Sequence, residues 1–311
     1  MTDGVIKVAT RGSTLALAQT TLVIERLRKH FPQKTFEALV IRTSGDALAE
    51  KGKMAPGKGI FVKEIEEALL RGDAALAVHS LKDLPTEMVP DLAIAAIPER
   101  EDARDALISK NSARLSDLPA GAVVGTGSVR RAAQLLAARP DLCVEPIRGN
   151  LDTRIAKLTG ARESDVAYNA IVVAVAGCRR LGLADAITEI LPVEIMLPAV
   201  GQGALAVETR DDDPEAHALA AALDDEPTHQ ATTAERACLH ALGGGCRVPI
   251  AAYAEIAGST LTLQAKVCST DGLQIIESTR QGRAAEAERL GAALAKALLE
   301  QGAEHLIQSA H

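Results

Sequence analysis

Along the first hundred residues the hydrophobic positions keep two alternating rhythms: short apolar runs, and stretches with apolar residues three and four apart. Residues 5–9 read as a strand, residues 11–14 as a loop that can cap a helix, and residues 15 to about 30 as that helix. Residues 36–41 are strand-like. Residues 59–71 return to helical spacing, with Phe61, Ile65, Ala68 and Leu69 on one face. A buried-looking strand over 74–79 is stopped by Leu84-Pro85, and another over 92–97 is closed by Pro98.

The charged stretch Glu99-Arg100-Glu101-Asp102-Ala103-Arg104-Asp105 then reads as a first crossing between domains. Beyond it the same rhythm resumes, with strands at 122–125, 143–147 and 171–175 and helices at 128–138 and 150–158. Residues 188–198 contain two prolines and read as the return crossing, followed by a strand at 204–208 that rejoins the first domain. After Asp211-Asp212-Asp213-Pro214 the order changes. Helices at 214–223 and 228–241 precede strands near 250–256, 260–268 and 273–279 and a last helix from about 284 to 300. Alternating strands and helices predict α/β domains with parallel sheets covered on both faces, and the grouped strands predict a small C-terminal α+β domain. There is no internal repeat in the sequence.

Composition narrows the function. Of 311 residues, 47% are hydrophobic and 24% charged, as in a soluble globular protein of two or three domains. Aromatic residues are only 2%, so the cores must be aliphatic and base stacking on nucleic acid is disfavoured. With a net charge of -7, any anion must be held by locally gathered Arg and Lys. The N-terminus has no export-signal pattern, and no run approaches the ~20 apolar residues of a membrane helix. Cysteines 143, 178, 238, 246 and 268 form no CxxC pair, so reduced thiols in a cytoplasm are expected and no metal site is predicted.

Four segments can carry chemistry. Gly125-Thr126-Gly127-Ser128-Val129-Arg130-Arg131 follows a strand and opens a helix; amides, hydroxyls and guanidinium groups there suit a carboxylate or phosphate. Arg148-Gly149-Asn150-Leu151-Asp152-Thr153-Arg154 and Arg11 with Ser13 repeat the arrangement. A single such Arg serves solubility as readily as binding; three turns together favour anion binding. His79-Ser80-Leu81-Lys82-Asp83 ends a buried strand, where an acid can stabilise a developing cation or move protons, or can form an ordinary Lys–Asp pair. His79 by itself reads as structural. Cys246 sits on the glycine-rich loop Gly243-Gly244-Gly245, either as a nucleophile or as a free thiol in a turn. Residues 51–59, with Lys58, read as a lid over an anion or as a flexible surface loop.

Taken in order, these motifs resemble the porphobilinogen deaminase (hydroxymethylbilane synthase) family. The likeness is carried by ATRGSTLALAQ at 9–19, GKGIFVKEIE at 57–66, VHSLKDLP at 78–85, GTGSVRRAAQL at 125–135, RGNLDTR at 148–154, LPAVGQGA at 197–204 and GGGCRVPI at 243–250. It implies two α/β domains like the halves of type 2 periplasmic binding proteins, with a cleft between them, and a small α+β domain carrying the cofactor cysteine. The divisions are 1–99 with 200–220, 100–199, and 221–311.

The resemblance also implies a dipyrromethane primer on Cys246 through a thioether. Four porphobilinogen units are condensed onto it with loss of ammonia, and hydrolysis releases hydroxymethylbilane for tetrapyrrole synthesis. By the same likeness Asp83 is catalytic. Lys82, Asp83, Thr126, Ser128, Arg130, Arg131, Arg148 and Arg154 contact the primer. Arg11, Ser13, Gln19, Lys58, Arg148, Arg154 and Arg180 bind substrate, with Gln202 a further supporting donor. A cytoplasmic monomer is expected, with no nucleic-acid or membrane partner. Asn169, Thr14 and Arg247 stand where the family more often has Asp, Pro and Gln, and the segment 159–170 is longer than usual. A two-lobed carboxylate-binding protein accounts for the Arg turns but not for the Cys246 loop, and an acyl transferase would need a His base that only His240 offers.

Overall fold

The computed structural model describes residues 4–46, 59, 61–243 and 248–310. Its chain divides into two compact units, one of residues 1–101 with 203–229 and the other of residues 102–202 with 230–311. Each is built around mixed sheets rather than the all-parallel ones that the alternation predicts.

In the first unit the sheet runs β2 (Phe36–Ile41), β1 (Ile6–Arg11), β3 (Leu76–Ser80), β10 (Leu205–Arg210), β4 (Leu92–Ala96). β1 is parallel to both β2 and β3, whereas β10 is antiparallel to both its neighbours. The returning chain enters the sheet from the opposite end, which reverses that one strand. Helix α1 (Thr14–His30) lays Ala16, Gln19, Thr20, Val23, Ile24 and Leu27 inward, the spacing of one helical face. Val23, Ile24 and Leu27 join Val8, Phe36, Leu76 and Val207 in its core.

The second unit repeats that plan with unrelated residues. Its sheet runs β7 (Cys143–Glu145), β6 (Val123–Gly125), β8 (Ala170–Ala174), β5 (Asp105–Ser109), β9 (Glu189–Ile190). β6 is parallel to β7 and β8; β5 is antiparallel to β8 and β9. Residues 188–198, read as a crossing, therefore supply an edge strand inside this unit, and the boundary falls after Gln202. Asn169, where the family more often has Asp, accepts the Val123 amide at 2.7 Å and so braces β6. Thr14 opens α1, the first helical position, which also suits Pro.

The same unit holds the meander of β11 (Ile250–Ala257), β12 (Thr260–Cys268) and β13 (Ile275–Arg283), all antiparallel. Helix α8 (Ala287–Glu300) covers it through Leu290, Leu294 and Leu298 in an aliphatic core with Leu261, Leu263 and Val267. The β12–β13 turn needs Gly272: its φ is 74°, and a Cβ there would stand 2.4 Å from the Ala133 carbonyl oxygen of α3 (Val129–Ala138). Among the described residues no helix is long and apolar enough to cross a membrane.

Candidate active-site groups

In the first unit the end of β1, the start of α1 and the end of β3 bring charged groups together. Ser13 is the N-cap of α1, its Oγ accepting the Ala16 amide at 3.3 Å. Gln19, one turn on and buried, donates from Nε2 to Ser80 Oγ at 2.9 Å and ties the helix to the end of β3. Past Ser80 the chain makes a 3-10 turn, Leu81–Asp83, anchored by the buried Leu81, whose amide donates to Ala204 O at 3.1 Å. This turn holds Lys82 and Asp83 outward; the Asp83 side chain remains 37% exposed rather than sunk in the sheet.

Arg11 is held from three sides. Its Nη2 donates to Asp46 Oδ1 at 2.6 Å, Nη1 lies 3.9 Å from Asp83 Oδ2, and the guanidinium carbon stands 4.2 Å over the Phe61 ring. Burial pushes the Asp46 carboxyl up, but hydrogen bonds from Arg11 and Thr43 outweigh it and leave the pKa lowered. Spacing marks neither Asp46 nor Phe61 as a site residue. Helical periodicity put Phe61 on a buried helix face, yet helix α2 begins at Lys63 (Lys63–Leu70), because the Val62 and Lys63 amides both turn back to Gly59 O. Behind the turn, His79 is buried, its Nε2 3.0 Å from Glu208 Oε2. That pair is internal to the sheet.

In the second unit the loops after β6 and β7 carry the remaining arginines. Thr126 is buried and its Oγ1 accepts the Ser128 amide at 3.2 Å; Ser128 is the N-cap of α3, accepting the Arg131 amide at 3.4 Å. Both hydroxyls thus shape the turn. Arg130 and Arg131 point inward and are nearly inaccessible, at 5% and 6%. Arg130 Nη2 donates to Asp105 Oδ2 at 2.8 Å and Nη1 to Leu197 O at 2.6 Å. Arg131 Nε donates to Asp105 Oδ1 at 3.0 Å and Nη1 to Val172 O at 3.1 Å. Asp105 is wholly buried; burial pushes its carboxyl up, but the charges of Arg130 and Arg131 prevail and hold it below the usual range.

Arg148 is exposed on the next loop, where Gly149 takes φ 108°. Arg154, on α4 (Leu151–Thr159), donates from Nε to Gly149 O at 2.8 Å. Burial, with Arg131 adding its charge, pushes its pKa down to about 10. Arg180 ends α5 (Val175–Arg180), half-buried. Lys58 and Cys246 lie outside the described residues. Glu235, on α7 (Glu226–Ala241), is buried and accepts the Gly201 amide at 2.7 Å and the Ala254 amide at 2.9 Å. It too lacks any sequence signal, as does Asp105, because a buried acid reads like any charged residue until its partners are known.

Two family models cover most of the chain: porphobilinogen deaminase, dipyromethane cofactor binding domain, over residues 6–218, and porphobilinogen deaminase, C-terminal domain, over residues 229–300. A porphobilinogen deaminase of Syntrophus aciditrophicus is 49% identical over 97% of this chain and 98% of the relative. One of Thermus thermophilus is 47% identical over 97% and 98%. Among solved structures, the methionine binding protein MetQ is similar at 13% identity and a TM-score of 0.42, covering 74% of this chain and 91% of that one. That likeness adds nothing to the sheet topology. The two full-length relatives and the two domain models agree, and the chain belongs to the porphobilinogen deaminase family.

Proposed function

We propose that this chain condenses four porphobilinogen molecules stepwise, with Asp83 as its catalytic carboxylate and the Arg11, Arg130, Arg131, Arg148, Arg154 and Arg180 guanidinium groups as carboxylate receivers. The observation that carries the assignment of roles is the contrast between Asp83, presented on an exposed turn beside Arg11, and the buried excess of cations around Arg154. Every porphobilinogen ring bears two carboxylates, so a growing chain brings negative charge that such cations neutralise. Each charged hydrogen bond contributes roughly 1.5–3 kcal/mol.

Asp83 faces the step in which the pyrrole nitrogen of substrate expels ammonia and turns cationic. A fixed carboxylate near that N–H stabilises the positive charge without having to reorganise at the moment of reaction. After the new carbon–carbon bond forms, the same carboxylate can take up the proton leaving the ring carbon. Arg11 sets a positive charge beside Asp83, while Asp46 and Phe61 keep Arg11 in place. Ser13, Gln19 and Lys82 support this end, and Lys58 belongs to the same reading as a substrate-binding residue.

The dipyrromethane primer that the family model names fits this chain's donors. Arg130 Nε is buried without a hydrogen-bond partner, and no carboxylate among the described residues pairs with Arg154. Cys246 would hold the primer covalently; Lys82, Asp83, Thr126, Ser128, Arg130, Arg131, Arg148 and Arg154 would contact it. When bound, it supplies the nucleophilic pyrrole end to which units are added.

The three-domain division, 1–99 with 200–220, 100–199, and 221–311, belongs to the same reading, as does a cytoplasmic monomer without nucleic-acid or membrane partners. Intact mass of the purified protein, alongside a porphobilinogen consumption assay, tests it. The expected result is an excess of two linked pyrrole units over the polypeptide, absent in Cys246→Ala. An active protein with no mass beyond its amino acids overturns the reading.

A further inference from the structure

Asp105 lies in none of the motifs that carry the family resemblance, yet it is the hub of the second unit's polar interior. It starts β5, the strand that runs antiparallel to its neighbours, so its side chain meets the first turn of α3. Its two oxygens receive Arg130 Nη2 at 2.8 Å, Arg131 Nη2 at 2.7 Å and Gln202 Nε2 at 2.8 Å. Gln202 Nε2 also donates to Ala103 O at 2.7 Å, and Gln134 Nε2 donates to Leu197 O at 3.1 Å, the carbonyl that Arg130 Nη1 uses. The carboxylate is thus clamped before it clamps the arginines.

The charges of this cluster do not cancel. One carboxylate serves two guanidinium groups, and the Arg131 charge is felt by a third, Arg154. Among the described residues, three cations near one anion leave an excess of two positive charges, which an acidic ligand at the site would balance. Without Asp105 the excess would be three, and two side chains adjacent in sequence would repel with nothing between them to fix their forks.

We propose that Asp105 is a positioning residue for the condensation reaction, presetting Arg130 and Arg131 to receive the acid side chains of the oligopyrrole, with Gln202 as its brace. This rests on the functional reading above. The carboxylate reaches the ligand only through the arginines. Its loss therefore weakens binding of primer and substrate more than it slows the chemistry at Asp83.

The test compares the full-length wild-type chain with Asp105→Asn and Gln202→Met, and with Val23→Ala as a destabilised control, since Val23 is buried in the other unit's core. Intact mass gives the fraction carrying primer, thermal unfolding gives stability, and kcat and KM for porphobilinogen are expressed per loaded molecule. For Asp105→Asn the expected result is a loaded fraction reduced at least about 5-fold and a KM raised about 10-fold, with kcat within about 3-fold. Gln202→Met, which changes no charge, should raise KM about 3-fold. The proposal is overturned if Asp105→Asn keeps the wild-type loading and KM, or if Val23→Ala raises KM as much at a similar loss of stability. Should Asp105→Asn not fold, an unchanged KM in Gln202→Met overturns it. A wild-type chain making no hydroxymethylbilane would sink the functional reading instead, a separate outcome.

Discussion

The Arg11 guanidinium reaches toward the Asp83 carboxylate, with 3.9 Å between Nη1 and Oδ2. The spacing is that of a loose ion pair, in which Arg11 holds charge beside Asp83 without occupying it. Because Asp83 sits on an exposed turn, its replacement leaves the fold intact. Asp83→Asn should lower kcat by about 10²–10³, the usual cost of removing one electrostatic group from a reacting centre. Asp46→Asn, which frees Arg11 from its nearest partner, should raise KM by roughly 10-fold while sparing the circular dichroism spectrum. A fully active Asp83→Asn would remove Asp83 from the chemistry.

Arg148 is exposed on a loop after β7, unlike the buried Arg130 and Arg131. Arg148→Leu should therefore leave the melting temperature within about 2–4 °C of wild type and interrupt chain growth. Mass spectrometry of enzyme mixed with porphobilinogen should show primer-loaded or partly extended species accumulating. Arg148→Lys should recover only part of the yield, since an ammonium cannot make the two-pronged contact of a guanidinium. A normal product yield in Arg148→Leu would count against the role.

Thiol chemistry separates the cysteines. Burial pushes Cys178 and Cys268 up to about 11 and Cys238 up to about 12, whereas Cys143 is exposed. At pH 8 a thiol titrating near 11 is ionised in roughly one molecule per thousand, so the three buried thiols should resist alkylation in the native protein. Only Cys143 should label quickly in the primer-loaded enzyme, where Cys246 carries a thioether. Cys246→Ala should leave that count unchanged. Raising the pH toward 11 should speed labelling of the buried three only as far as opening allows. Two fast thiols in a loaded preparation would contradict the thioether on Cys246.

Much of this arrangement was legible from periodicity. The three strand-to-helix turns holding Arg11, Arg130 with Arg131, and Arg148 with Arg154 each stand where the apolar run gives way to helical spacing. The family resemblance makes Ser13 and Ser128 ligand donors, and the loop at 11–14 reads as a helix cap; the structure uses both serines as helix caps. Strand direction was not legible: Leu205–Arg210 looks like any buried strand, and its antiparallel entry depends on where the chain comes from. Phe61 was misplaced because an apolar residue three or four positions from another fits a helix face and a cation–π contact equally well.

Chain sequence alone determined the element types, the aliphatic cores and the run of motifs that marks the family, because these rest on local spacing and residue chemistry. Tertiary structure alone decided which charges meet. Asp105 and Asp46 acquire their meaning from arginines 25 or 26 and 35 residues away, brought close by sheet order rather than by sequence neighbourhood. An ion pair's strength depends on distance and on exclusion of water, and neither is written in a linear pattern.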